Sequence, residues 1–395
     1  MSVCDWILLA AAGALALPMG VVALETLAAL LARGAAPGPA PADRPRVAVL
    51  IPAHDEEAVI AETLAAIMPQ LRDGDRVVVV ADNCTDHTAA VARASGAQAV
   101  ERQNAARRGK GFALAAGIEL LRDAPPAVVV IIDADMRLGA GSIDALAAAV
   151  VRHAAPAQAL NLLEPPAHAP MRVQVSALAF CFKNHVRALG ADVLGIPCLL
   201  RGTGMAFPWS LISGAALATD NLVEDMQLGM DLALAGHAPR FCPAARVTGR
   251  LPGKTAAAAV QRTRWEHGHL QTILRNVPRL VGQRLKQQRP GLIGLALDLA
   301  VPPLALLVIL WGVVTVVAAA LWMAGLAGMV PLGALAAIGG LLAASILAGW
   351  ARFARHILPL RTLLSIPFYV VWKVPLYLAF LWKRQQVWIR TERAS

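Results

Sequence analysis

Two long apolar runs limit what this chain can become. Trp6 to Leu31 and Leu292 to Trp350 are almost uninterrupted stretches of aliphatic, aromatic and small residues. A helix crosses the hydrocarbon core of a bilayer in about 20 residues, so the first run accommodates one crossing and the second accommodates two. In that medium every backbone N–H and C=O must be satisfied within the segment, which makes these runs helices. Between them, from Arg46 to about Arg279, the composition is mixed. The chain has 395 residues, enough for two domains, and is 57% hydrophobic but only 16% charged. The pattern is that of an integral membrane protein with a water-facing insert. The first run carries Asp5 where a signal peptide has a basic start, and it is longer than a signal core, so we expect an uncleaved anchor.

The formal net charge is +10, and the basic residues cluster beside the apolar runs. Arg33, Arg44 and Arg46 follow the first run, and Arg279, Arg284, Lys286 and Arg289 precede the second. Arg352, Arg355, Arg361, Lys383, Arg384, Arg390 and Arg393 come after it. Positively charged flanks stay on the cytoplasmic side. The expectation is therefore a multi-pass protein of the cytoplasmic (inner) membrane with its soluble domain facing the cytoplasm. The positive charge suits orientation and anionic lipid in the bilayer. No basic, aromatic-rich groove accompanies it, so nucleic acid is not an expected partner. Five cysteines without CxxC spacing speak against a zinc framework or a disulfide scaffold.

The Ala-Pro-Gly stretch from Ala35 to Pro45 reads as a linker. A regular alternation follows it. Strands are expected at Val47–Ile51, Arg76–Ala81 and Ala97–Glu101, and helices at Glu56–Leu71, Thr85–Ala94 and Lys110–Leu121. The β-branched run Val128 to Ile132 then ends abruptly in Asp133-Ala134-Asp135, before a helix from about Ser142 to Val151. Strands alternating with helices predict a mostly parallel, Rossmann-like α/β sheet. The acids fall where such sheets bind ligands, at the carboxyl edge: Asp55/Glu56, Asp82, and Asp133/Asp135. Each set alone also fits helix capping. Two carboxylates in i, i+2 spacing suit a hard divalent cation such as Mg²⁺ or Mn²⁺. Between the acids, Arg107-Arg108-Gly109-Lys110-Gly111 opens a helix, where backbone N–H groups and the dipole receive phosphate. The simplest ligand for an acid-bound metal beside a basic helix start is a nucleotide diphosphate.

Further on, Met171–Leu189 is expected to be helical, and Arg201-Gly202-Thr203-Gly204 joins a glycine turn to a short strand. Glu224-Asp225 opens a helix running to about Ala235; the pair compensates the helix dipole or supplies a general base. Gln261, Arg264 and Trp265 stand at i, i+3 and i+4 of a helix spanning about Ala256 to Leu274, so they share one face. After it come spans at Leu304–Leu326 and Leu332–Trp350. The segment Leu363–Leu381 is interrupted by Pro367, Pro375 and Lys373, and charge placement favours an interfacial or re-entrant course. The expected domains are an anchor at 1–33, a linker at 34–45 and a catalytic domain at 46–280 that ends in the Gln261-Arg264-Trp265 helix. Membrane or interfacial helices at 290–383 and a cytoplasmic tail at 384–395 complete the chain.

Taken in order, the strand-end acids, DAD, GTG, Glu-Asp and QRTRW resemble the membrane-bound family 2 glycosyltransferases, among them cellulose, hyaluronan and poly-N-acetylglucosamine synthases. DAD alone is a weak signal; DxD followed by ED and then QxxRW is strong. The resemblance implies a GT-A fold acting on a UDP-sugar with Mg²⁺ or Mn²⁺. It assigns Glu56 and Asp82 to the uridine, with the backbone of Pro52 and Ala53 lining the base. It makes Asp133 and Asp135 the metal pair and brings Lys110, Gln261 and Arg264 to the diphosphate. It makes Asp225 the general base, Trp265 a platform under the acceptor sugar, and Gly202, Thr203, Gly204 and Glu224 the acceptor surroundings. Asp82-Asn83-Cys84 departs from the family's Asp-Asp-Gly/Ser, Val223 replaces the Thr of its TED motif, and the Phe-Phe-Cys-Gly-Ser acceptor form is absent.

The expected activity is that of an inverting hexosyltransferase extending an exopolysaccharide, with an export partner for the polymer. Transfer of a single sugar to a lipid-linked acceptor is the alternative. A transporter with a nucleotide-sensing domain has too few spans to be built.

Overall fold

The structure is a computed structural model that describes residues 1–32, 43–218, 224–251, 255–287 and 289–382; side chains are described except at 255–265, 284–287, 290 and 379–382. The chain divides into two compact units. One comprises the described residues of Arg33–Pro166 and Pro197–Ala257, and the other comprises Met1–Ala32, Ala167–Ile196 and Ala258–Gln386.

The first unit is built on one eight-stranded sheet. Its strands are β1 (Val47–Ala53), β2 (Arg76–Asp82), β3 (Gln98–Arg102), β4 (Val128–Ile131), β5 (Arg137–Leu138), β6 (Ala157–Glu164), β7 (Met205–Pro208) and β8 (Arg240–Arg250). The order is β3-β2-β1-β4-β7-β6-β8-β5. β3, β2, β1 and β4 are parallel neighbours, whereas β7 runs antiparallel to both β4 and β6. This is the expected Rossmann-like, mostly parallel GT-A sheet, closed by a mixed half.

The alternation of side chains across each strand decides the packing. Val47, Val49 and Ile51 point to one face, where they meet Ile60, Leu64 and Ile67 of the helix Ile60–Ile67 and Ile143 and Leu146 of the helix Ser142–His153. Ala48, Leu50, Val78 and Val80 point to the other, against Leu114, Ile118 and Leu121 of the helix Lys110–Leu121. Both faces are covered, which is why the strands read as continuous apolar runs. The chain passes from β3 across β2 and β1 to β4, so the strand order reverses at β1/β4. Open α/β sheets form their ligand crevice at such a switch, outside the carboxyl ends.

Several elements differ from expectation. The helix expected from Glu56 begins only at Ile60, because the turn before it is tied to the next loop: Glu56 N–H donates to Thr88 Oγ1 (2.8 Å) and Glu57 N–H to Asp86 Oδ2 (3.1 Å). The helix expected from Thr85 starts at Thr88, whose N–H and hydroxyl both donate to Asp86. β6 and β8 have no counterpart in the sequence reading. β6 is rich in Ala and Leu, good helix formers, yet its parallel pairing with β8 makes it a strand.

The second unit is helical. Val3–Leu31, Leu304–Met323 and Val330–Phe353 are each long and apolar enough to cross a membrane. Leu8, Ala12, Met19, Val22, Leu307, Leu335 and Leu342 form its core, while Trp6, Leu24, Val316 and Leu347 are exposed. Residues 167–196 and 258–280, which the sequence boundaries group with the catalytic domain, pack in this unit. The expected helix Met171–Leu189 runs to Cys181, passes through a wider turn at Phe182–Arg187 and resumes at Ala188–Val193. Arg187 is buried between two acids, bonded to Glu25 Oε2 at 2.6 Å and Asp298 Oδ1 at 2.5 Å. The last apolar stretch is divided among three short helices, Leu360–Leu363, Ile366–Trp372 and Val374–Trp382. Lys373, costly in lipid, is buried there in an ion pair with Glu266.

Gly190 is pressed against the backbone of Glu25, where an added Cβ would overlap the Glu25 carbonyl. Backbone cannot yield as a side-chain tip does, so over-packing here should cost about 1–3 kcal/mol. Gly190→Ala should therefore lower the thermal midpoint of the detergent-solubilised protein, while Gly20→Ala, where an added Cβ would meet nothing within 4 Å, should not. Equal midpoints for the two variants would contradict this packing.

Candidate active site

The carboxyl ends of β1, β2 and β4 deliver their polar residues to one edge of the sheet. β4 ends at Ile131, and residues 133–136 turn sharply, Met136 N–H donating to Asp133 O (3.2 Å). The turn leaves Asp133 and Asp135 partly exposed between buried Ile132, Ala134 and Met136. Thr63 Oγ1 donates to Ala134 O (2.7 Å), fixing the turn to the helix Ile60–Ile67.

Lys110 is the first residue of its helix, and its ammonium forms an ion pair with Asp133 while donating to Gly202 O at 2.6 Å. The Gly202-Thr203-Gly204 turn frames this pair. Both glycines have positive φ (+80° and +66°), a conformation open to glycine. A Cβ on Gly202 would sit 3.4 Å from Asp225 Oδ2 and 3.6 Å from Lys110 Nζ. Thr203 Oγ1 accepts from Asp133 N–H (3.0 Å), and Gly204 N–H donates to Ile131 O (2.9 Å). Gln158 locks the turn from behind, its Nε2 donating to Thr203 O (2.9 Å) and its Oε1 accepting from Arg201 N–H (2.8 Å).

The helix Glu224–Ala235 brings Glu224 and Asp225 to a small cleft shared with Lys110, Gly111, Leu114 and Ile131. The electrostatics follow from this crowding. Burial alone would lower the Lys110 ammonium, but the charges of Asp133 and Glu224, with the hydrogen bond to Asp133, raise it. Burial, and then the adjacent Asp225 charge, push Glu224 up to about 7 against the pull of Lys110. One ammonium thus bonds Asp133 and a carbonyl and stands in the field of Glu224 and Asp225.

Asp82 is buried at the end of β2 and accepts from Arg102 Nη1 (2.5 Å) and Gly109 N–H (3.3 Å). Arg102 also donates to Arg107 O (2.7 Å), and Asn83 Oδ1 accepts from Asn104 N–H (2.7 Å). Asp82, the residue expected at the uridine, thus also ties the basic loop 103–109 to β2. Beside it lies an open cleft of about 450 Å³ lined by His54, Asp55, Asn83, Thr85, Gln103, Asn104, Ala105 and Arg108.

A model of the family described as glycosyltransferase like family 2 matches residues 45–268, more than half of the chain. The chain belongs to this family. An uncharacterised glycosyltransferase of Mycobacterium tuberculosis strain H37Rv is 39% identical over 102 residues, 26% of this chain and 42% of that protein. A probable glycosyltransferase of Bacillus subtilis strain 168, YdaM, is 27% identical over 265 residues, 62% of this chain and 60% of its own length. The chain thus spans between about four and six tenths of these curated relatives. The mannosyltransferase PcManGT of Pyrobaculum calidifontis, solved with GDP-Man and Mn²⁺, matches with a TM-score of 0.57 at 21% identity, covering 96% of this chain and 100% of that one. At that identity the likeness is one of fold.

Within this family 2 domain the structure brings Lys110, Asp133, Gly202, Glu224 and Asp225 together, with Asp135 and Thr203 on the same turns. Pro52 and Ala53 end β1, and Glu56 follows on the loop tied to Thr88. Gln261, Arg264 and Trp265 lie in the helix Thr255–Gln287, but their side chains are outside the described residues. Sequence reasoning misses Arg102 and Gln158. Neither belongs to a motif; Gln158 sits at the start of a strand that was not anticipated, and Arg102 matters only through its contact with Asp82.

The raised Glu224 gives a pH signature. The folded protein retains the Glu224 proton from the ordinary value of 4.5 up to about 7, where the unfolded chain has lost it. The folded state thus binds more protons in that window, and its stability falls as pH rises through it. In metal-free protein, Glu224→Gln should reduce the difference in thermal midpoint between the two ends of the window; an unchanged difference would contradict the placement of Glu224.

Proposed function

We propose that this protein is an inner-membrane, inverting hexosyltransferase that moves a hexose or N-acetylhexosamine from a UDP-sugar to a growing glycan, with the catalytic domain facing the cytoplasm. The observation that carries the proposal is the cluster of Lys110, Asp133, Gly202, Glu224 and Asp225 at the carboxyl edge. A basic helix start and a carboxylate turn meeting at a switch point suit a diphosphate and its counter-ion.

The residues present fit a hard divalent cation. Asp133 and Asp135 offer carboxylate oxygens on one tight turn, and Asp133 with the Gly202 carbonyl already holds a positive group, the Lys110 ammonium. Asp135 and Asp133 would hold Mg²⁺ or Mn²⁺, the ion supplying charge neutralisation at the departing diphosphate. Lys110 adds fixed positive charge where negative charge develops. Asp225 accepts the proton of the acceptor hydroxyl. Glu56 and the backbone of Pro52 and Ala53 serve the nucleoside, with Asp82 fixing the adjoining loop. Gln261 and Arg264 are assigned to the diphosphate, and Trp265, Gly202, Thr203 and Gly204 to the acceptor. The three apolar helices support a membrane setting in which glycan or lipid-linked acceptor is at hand.

UDP release screened over several UDP-sugars, in membranes with Mg²⁺ or Mn²⁺, should identify the donor, and product length separates polymerisation from single transfer. In that assay Asp225→Asn should lower kcat by about 10²–10⁴-fold, the usual worth of a general base, with the affinity for UDP unchanged. Full turnover by the variant, or a parallel loss of UDP affinity, would remove Asp225 from the base role.

A further inference from the structure

We infer that His54, Asp55 and Cys84 form a binding site for Zn²⁺ at the edge of the open cleft, which His54 and Asp55 line, separate from the oxygen-only pair Asp133 and Asp135. The inference does not depend on the donor sugar or on the transfer reaction. The three residues come from the turns after β1 and β2, and one ligand atom from each lies within 4.8 Å of the others. Two residues in the left-handed region, Asp55 (φ +52°) and Asn83 (φ +53°), shape these turns. Such conformations cost free energy and persist where the surroundings enforce them.

His54 and Asp55 are each oriented by a hydrogen bond made outside the cluster. His54 Nδ1–H donates to Asp82 O at 2.7 Å. A carbonyl can only accept, so the proton is on Nδ1 and the metal-binding lone pair of the neutral ring is on Nε2. That atom is 3.9 Å from Asp55 Oδ2. Asp55 Oδ1 accepts from Thr85 N–H at 2.6 Å, which turns Oδ2 towards the imidazole. Asp55 N–H donates to Cys84 Sγ at 3.3 Å, holding the sulfur in the same corner. Histidine ligands characteristically have their other ring nitrogen bonded to a carbonyl or carboxylate, and here that bond is already made.

Ligand chemistry then selects the ion. An imidazole, a thiolate and a carboxylate are the donors of Zn²⁺, which binds them at about 2.0–2.3 Å, whereas Mg²⁺ takes oxygen alone. Tetrahedral geometry with those bond lengths sets ligand atoms roughly 3.3–3.8 Å apart, so closing the site needs shifts of about 1 Å. The three residues are partly exposed, which leaves room for that movement. With three protein ligands a fourth position stays open to the cleft, where Asn83, Asn104 and Arg108 also line the wall.

Cobalt titration of the full-length protein in detergent tests the site, because thiolate bound to Co²⁺ gives a charge-transfer band in the near ultraviolet. One equivalent of Co²⁺ should produce the band, Zn²⁺ should abolish it, and excess Mg²⁺ should leave it. Cys84→Ser should remove the band and Cys242→Ser should retain it. His54→Gln, which preserves a hydrogen-bonding side chain, should shift the titration to higher cobalt concentration. Absence of the band in the wild-type protein, or its survival in Cys84→Ser, would overturn the proposal.

Discussion

The Lys110 ammonium is the point on which the polar edge of the sheet depends. Asp133, Glu224 and Asp225 stand close enough that their mutual repulsion would drive them apart or leave them protonated. The partly buried Lys110 ammonium, bonded to Asp133 and to the Gly202 carbonyl, offsets part of that repulsion, and the raised Glu224 takes up the rest as a retained proton. Every neighbouring device serves that arrangement. Gly109 opens the helix with φ +119° so that Lys110 starts it, Gly202 approaches without a side chain, and Thr203 and Gln158 hold the turn from behind. An edge that already holds positive charge among carboxylate and carbonyl oxygens is also one that can accept a divalent ion and a diphosphate.

Much of this edge is legible in the sequence because it is local. The β-branched run before Asp133 announces a doubly covered strand, and Gly109-Lys110-Gly111 announces a helix start, which falls at Lys110 as expected. The ties across the edge are not local, and no pattern records them. Asp82 reads as a strand-end acid, and no pattern announces its bond from Arg102, twenty residues on. Gln158 lies in a segment of Ala and Leu whose strand exists only because β8 pairs with it. Likewise nothing within Met171–Leu189 says that it packs with the apolar helices. That outcome rests on Arg187 meeting Glu25 and Asp298, residues more than a hundred positions away.

The helical unit follows the same logic of compensation in a less polar setting. An arginine inside such a bundle is expensive unless its charge and its donors are met. Two acids and the Asp298 carbonyl meet them, the last accepting from Nη2 at 2.9 Å. Gly190, pressed on the Glu25 backbone, allows the helices to come close enough for this. Lys373, which reads as a misfit in an apolar stretch, is resolved by Glu266 in the same way. In both units the charges that look costly in sequence are paired in three dimensions.

The central claim is that the carboxyl edge around Lys110 and Asp133 takes a nucleotide diphosphate together with a divalent ion. Calorimetry of UDP binding to the purified full-length protein, with Mn²⁺ and again with a chelator, tests it most directly. UDP should bind in the presence of Mn²⁺, the chelator should weaken binding, and Asp133→Ala/Asp135→Ala should remove the difference. UDP affinity that is the same with and without Mn²⁺, or a metal dependence that survives the double substitution, would contradict it.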